Sequence, residues 1–241
     1  VEMCNNNGAC RSQAAGVMCP SWRVTREETH VTRGRANVLR LAISGQLGPN
    51  ALSSSQLQEA LDLCVGCKGC RQECPTGVDM ARMKIEVQHH VHKTQGLGLQ
   101  QRLIAYLPRY AKYAASMRWL FNLRDVVPGA AKLSEMLLGF SARRSLPIWK
   151  KGWTDPGQQA GSSDVAGDGR DLVLFADTFN RHFEPANVTA AHRVLGAAGY
   201  RIHNVVPSTG ARALCCGRTF LATGLVDEAR VEGERVIDTL L

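Results

Sequence analysis

The chain has 241 residues, with 29 Lys and Arg against 21 Asp and Glu, a formal net charge of +8, and 44% hydrophobic residues. This is globular composition, long enough for a buried core in one or two domains, and it excludes a mini-protein or a disordered tail. No apolar run approaches about 18 residues, which excludes a transmembrane helix, and no signal-peptide pattern opens the sequence.

Residues 1–35 read as irregular, rich in Cys, Asn, Gly and Arg. Ala36 to Ile43 is apolar enough for a short helix closed by Gly45. Ser55 with Gln58 three residues on is a capping-box pair, which predicts a helix over 55–63 running into Cys64. Asp79 is placed to cap the next helix, whose Met80, Met83, Val87 and Val91 share one side. Residues 98–141 read as two or three helices: Leu103, Ile104, Leu107, Tyr110 and Ala114 keep helical spacing, and Pro128-Gly129 breaks the stretch. Gly152 to Gly169 is rich in Gly, Ser, Asp and Gln without any period, the pattern of a linker. Beyond it, Asp171 to Asp177 reads as a buried strand, and Pro185 and Gly199 bracket a helix. Arg201 to Val206 reads as a second strand and Leu225 to Leu241 as a last helix. Strand–helix–strand–helix implies parallel strands. The expected fold is therefore mixed. A helical, Cys-bearing domain spans 1–151, a linker 152–170, and a small, incomplete α/β domain with parallel strands 171–241.

The nine cysteines sit at 4, 10, 19, 64, 67, 70, 74, 215 and 216. An odd number in tight clusters argues for metal ligation rather than a disulfide framework. Cys64-Val-Gly-Cys67-Lys-Gly-Cys70-Arg-Gln-Glu-Cys74-Pro75 is the C-x2-C-x2-C-x3-C-P run that ligates a [4Fe–4S] cluster, with its last Cys serving a second cluster. Three thiolates at this spacing crowd badly around a single tetrahedral zinc, which makes a zinc-stabilised interaction module the weaker alternative. Upstream, Cys4, Asn7, Cys10 and Cys19-Pro20 overlay the same run in altered form. Crossing the distal ligands gives one cluster on Cys64, Cys67, Cys70 and Cys19. The other falls to Cys4, Cys10 and Cys74, with Asn7 where a thiolate belongs. Together the two motifs define a dicluster ferredoxin-like domain. Lys68 and Arg71, inside the downstream run, are expected to raise the local positive potential and favour a reduced cluster.

Residues 81–151 hold 13 Lys and Arg against Glu86, Asp125 and Glu135, interleaved with Tyr106, Tyr110, Tyr113, Trp119 and Phe121. Such helices suit an anionic membrane surface, packing in a core, or docking against another domain. No nucleic-acid motif accompanies the charge, so nucleic acid is not an expected partner. His89, His90 and His92 read as a solvated polar face.

The stretches CNNNGAC, MCPSW, TRGRAN, CVGCKGCRQECPTGVDMARMK and LFADTFNRHFEP…LCCGRTF resemble the iron–sulfur portion of bacterial FAD-linked D-2-hydroxyacid dehydrogenases of the D-2-hydroxyglutarate and D-lactate type. That portion is related to the glycolate oxidase iron–sulfur subunit. The resemblance covers most of the chain outside about 93–170. It implies an electron relay from FAD, on a domain or subunit absent from this sequence, to a respiratory acceptor: a quinone, a cytochrome or an electron-transfer flavoprotein. It also implies that the chain is a piece of a larger enzyme, that Arg33 and Arg35 lie near a cluster, and that no residue here acts on the substrate carbon. Cys215-Cys216-Gly217 resembles the CCG module that helps hold a further cluster in heterodisulfide-reductase-type subunits, although the accompanying cysteines of that module are missing. A stand-alone ferredoxin-like carrier is the alternative reading. The expected location is the cytoplasm, with peripheral contact at the inner face of the membrane.

Overall fold

The computed structural model describes residues 3–13, 16–154, 170–205, 207 and 212–241. They fall into two compact units: Val1–Leu97 with Leu221–Val226, and Gly98–Phe220 with Asp227–Leu241. This division differs from the one expected from sequence, because the helices beyond residue 97 pack with the α/β segment. The expected linker lies, from 155 to 169, outside the described residues.

The first unit is helical. Its elements are α1 (Pro20–Thr25), α2 (Thr32–Ile43), α3 (Ser55–Asp62), α4 (Gly69–Glu73) and α5 (Met80–Gln95), with short 3-10 turns at Ala9–Arg11, Glu28–His30 and Ala51–Ser53. Helix α2 starts four residues earlier than its apolar run suggested. Its buried positions Thr32, Arg35, Ala36, Leu39 and Ala42 repeat at helical spacing, and two of them are polar. The cap of α3 is Ser54, whose hydroxyl accepts the Leu57 N–H, and Gln58 donates to the Ser53 carbonyl instead of closing the expected box with Ser55. Asp79 caps α5 as expected, accepting the Arg82 N–H at 3.0 Å. Val31, Ala36, Leu39, Leu57, Leu61, Val78, Met80 and Val87 form one core with Trp22 and Met18. Cys10, Cys19 and Cys70 are buried in that same core, and Cys4, Cys64 and Cys74 pack against its edge. The cysteines are thus part of what the apolar side chains close around.

The second unit carries α6 (Leu99–Ala105), α7 (Leu107–Ser116), α8 (Arg118–Asn122) and α9 (Ala130–Leu138), four helices where two or three were expected. It continues with β1 (Asp171–Leu174), α10 (Thr178–His182), α11 (Pro185–Ala197), β2 (Arg201–Asn204), α12 (Arg218–Ala222, whose last two residues belong to the first unit) and α13 (Val226–Leu240). The strands are parallel, with Leu172 opposite Ile202 and Val173 opposite His203. The strand at 171–177 is shorter than expected and is not buried: Val173 is 57% exposed, because among the described residues the sheet has only two strands. Aromatic packing explains why the helices join this unit. Trp149 contacts Tyr110, Phe121 and Phe183, the last at 4.3 Å between ring centroids, and its backbone is pinned by both ends of the Asn122 amide. Lys150 and Trp153 then donate backbone N–H groups to His182 and Arg181 of α10 and its turn.

Candidate metal centre

The sulfurs of the first unit are approached by two helix N-termini. Thr32, the first residue of α2, donates its N–H to Cys19 Sγ at 3.0 Å, and its hydroxyl lies 2.7 Å from the same sulfur. Arg33, the next residue, turns its N–H to Cys10. Met80, the first residue of α5, donates its N–H to Cys70 Sγ at 3.4 Å. Cys74 receives the Thr76 hydroxyl and the N–H groups of Val78, Thr76 and Gly77. Unpaired N–H groups and the positive end of a helix dipole favour an anionic sulfur. At Cys74 burial works against the thiolate, but these donors outweigh it and the thiol falls below its ordinary range. At Cys10, Cys19 and Cys70 burial dominates and holds the thiols above it.

Two backbone features bring the motifs together. Cys19 takes a left-handed conformation (φ 48°) just before Pro20, a cost of about 1–3 kcal/mol that the surrounding contacts must offset. Glu73, between Cys70 and Cys74, accepts the N–H groups of Val17 and Met18 at 2.6 and 2.9 Å. It ties the upstream Cys-Pro turn to the downstream run. Gly69 allows the approach, since a Cβ there would sit 3.1 Å from the Val17 carbonyl oxygen.

The result is one cleft lined by Cys19, Cys64, Cys67 and Cys70, with Thr32, Arg35, Val65, Gly66, Lys68 and Met80 among its walls. It is partly open to solvent. All nine cysteines are free of disulfides. Among the described residues no three Cys, His, Asp or Glu side chains are drawn close enough to hold a single metal ion. The four cysteines surround a space instead. A multi-iron cage, whose thiolates bind separate corners, fits such an arrangement through its walls and its inward-facing N–H donors.

Residues 1–78 match the family described as the 4Fe-4S dicluster domain. The matched stretch lies within the first unit and contains all seven of that unit's cysteines. Curated relatives include the D-2-hydroxyglutarate dehydrogenase of Pseudomonas putida, 25% identical over 83% of this chain and 24% of its own length. The Escherichia coli D-2-hydroxyglutarate dehydrogenase is 26% identical over 56% of this chain and 17% of its own length. A probable glycolate oxidase iron-sulfur subunit of Bacillus subtilis is 28% identical over 36% of this chain and 19% of its own length. The chain thus spans a quarter or less of these relatives. No solved structure matches it.

Around the upstream motif, Cys4 lies close enough to Cys10 to oppose its ionisation. Met3 reaches Gly77, which sets the Cys4 segment beside the turn after Cys74. Asn7 is exposed, and its Oδ1 accepts the Ala9 N–H at 2.9 Å, so the amide closes a turn within its own loop. Arg33 pairs with Glu28 at 2.6 Å, and Lys68 and Arg71 share Asp79 at 3.5 and 3.7 Å, so carboxylates offset much of the positive charge expected there. Lys84, which the sequence did not single out, donates to the carbonyls of Leu61 and Cys64 at 2.8 Å and of Asp62 at 3.3 Å. His89 meets the Gly224 carbonyl at 3.0 Å and joins no metal-ligating group among the described residues.

In the second unit Cys215 is buried and Cys216 exposed. Gly217 (φ 75°) turns its N–H back onto Cys215 Sγ at 3.4 Å. Cys215 donates to Cys216, which lowers Cys216 to about 6 and raises Cys215. Burial opposes the fall at Cys216 and adds to the rise at Cys215. Asp177, which caps α10, and Thr178, its first residue, neighbour the pair. No third metal-ligating side chain completes a site there among the described residues.

Proposed function

We propose that this chain is the electron-transfer iron–sulfur part of a flavin-dependent D-2-hydroxyacid dehydrogenase, of the D-2-hydroxyglutarate or D-lactate class. In this reading Cys19, Cys64, Cys67 and Cys70 hold one [4Fe–4S] cluster. Cys4, Cys10 and Cys74 hold another, and Asn7 shapes the loop between Cys4 and Cys10. When bound, such clusters accept and release single electrons, with potentials tuned by charge, hydrogen bonds to sulfur and exposure. The chain's own residues supply the thiolates, the N–H groups that stabilise them and the apolar wall that limits water. FAD on another domain or subunit takes the electron pair from the substrate, and a respiratory acceptor on the cytoplasmic side of the membrane receives the electrons. The observation that carries the reading is the cleft itself, where cysteines from two distant motifs meet.

The test is iron content and electron paramagnetic resonance of the anaerobically purified protein. Cys67→Ala should lose the iron of one cluster and keep the signal of the other. Full iron content in that variant overturns the ligand assignment. For the relay, the complete enzyme given a D-2-hydroxyacid without acceptor should show cluster signals of the reduced state. Clusters that stay oxidised while the flavin is reduced would refute it.

A further inference from the structure

One cation lines the cysteine cleft and a second holds the turn that carries Cys64, and neither has a carboxylate bonded to it. Arg35 is 2% exposed and lines the cleft beside Cys19 and Cys64. Its Nε donates to the Ala60 carbonyl at 2.6 Å and its Nη2 to Ser21 Oγ at 2.9 Å. Lys84 reaches the same turn from α5 and gives all its donors to the carbonyls of Leu61, Asp62 and Cys64. Every one of these acceptors is neutral. Among the described residues neither cation has a carboxylate within ion-pair distance. The two also lie near enough to repel each other. The carboxylate of Asp62 acts on Lys84 from an exposed position. The remaining cations of the motifs are different: Arg33 has Glu28, and Lys68 and Arg71 have Asp79.

Withdrawing one charge fully and a like charge in part from water, without a bonded counter-ion, is unfavourable. A fold that sets one at the cleft wall and the other on the backbone of Cys64 is built for negative charge beside them. We propose that Arg35 and Lys84 are the counter-charge of the four-thiolate cluster and raise its reduction potential. The proposal rests on the ligand set given above. Four thiolates leave the cluster negative and reduction adds one more negative charge. A cation held out of water therefore favours the reduced form more than an exposed one does. Lys84 is also a positioning residue, because its three bonds fix the turn that presents Cys64.

Redox titration of the full chain with its clusters loaded, followed by electron paramagnetic resonance, separates charge from position. Lys84→Gln keeps a donor for the carbonyls and removes the charge. It should weaken one-electron reduction of one cluster about tenfold, a fall of about 59 mV, with the other cluster and the iron content unchanged. Lys84→Arg keeps the charge and should titrate like the parent. Arg71→Gln, removing an exposed cation that shares an acid, should shift the potential less. The proposal is overturned if Lys84→Gln keeps its iron and its potential, or if Lys84→Arg shifts as far as Lys84→Gln. Should Lys84→Gln lose iron, Asp62→Asn at low salt decides: removing this anion must raise the potential, and an unchanged or lower value overturns the proposal. Failure of the ligand set shows separately, as full iron content in Cys67→Ala.

Discussion

Gly34 and Gly233 both sit inside helices, yet replacing them with Ala should move stability in opposite directions. A Cβ on Gly34 would lie 1.8 Å from the Glu28 carbonyl oxygen, so α2 or the Glu28–His30 turn must shift. Gly34→Ala should cost about 2–3 kcal/mol, the range of overpacking, and should disturb Cys10 and Cys19, which take their N–H donors from the same helix end. A Cβ on Gly233 meets nothing, and Gly233→Ala should gain about 1 kcal/mol from helix propensity alone. Paired denaturant midpoints check both signs, and a stabilised Gly34→Ala would show that the close approach is not maintained in solution. Neither outcome is readable from sequence, where both residues are only glycines in helical stretches. Asn7 shows the same limit at a motif position. Its place in the spacing suggested a ligand, while its amide oxygen is spent on Ala9.

At the scale of elements, the cysteine spacing made one motif legible, the downstream run that supplies Cys64, Cys67 and Cys70 to the cleft. The capping of α5 by Asp79 and the parallel pairing of 171–174 with 201–204 were equally plain, because caps and hydrophobic periods are local. What stayed hidden is long-range and polar. Nothing in the sequence marks Thr32 as the donor to Cys19, Lys84 as the clasp on the Cys64 turn, or Glu73 as the acceptor for Val17 and Met18. The buried strand expected at 171–177 failed for a related reason: an apolar run signals burial only when enough strands and helices exist to cover it. Glu73 permits a sharp test. Glu73→Ala removes both acceptors and leaves two N–H groups unpaired, a loss of about 2 kcal/mol that should release the Cys19 segment. Hydrogen exchange at Val17 and Met18 should accelerate while exchange in α5 is unchanged, and equal protection in the variant would show the clamp to be dispensable.

The two units should respond differently to acid. His182, in the second unit, is buried, its Nδ1 has no hydrogen-bond partner, and burial, helped by Arg181, depresses its ring to about 4 from 6.5. The native state therefore binds its proton later than the unfolded chain does. The resulting stability is fully present above about pH 6.5 and fades as pH falls towards 4, a loss of about 3 kcal/mol. His182→Phe should flatten that slope in chemical denaturation of the second unit, and a slope unchanged by the substitution would assign the acid response elsewhere. For the molecule as a whole, the Glu73 clamp has a consequence for the order of events. It joins residues 55 and 56 positions apart without any metal. Closing a loop of that length costs about 3.5 kcal/mol of chain entropy, growing only slowly with length. A cluster that had to recruit Cys19 from a free segment would bear that cost during its own insertion. With Val17 and Met18 already held, the closure is met by folding, and iron arrives at a vestibule whose distant walls are in place. Reconstitution of the apoprotein with iron and sulfide should then show no slow protein-limited phase, and Glu73→Ala should add one; a variant that reconstitutes as fast as the parent would show that the clamp does not prepare the site.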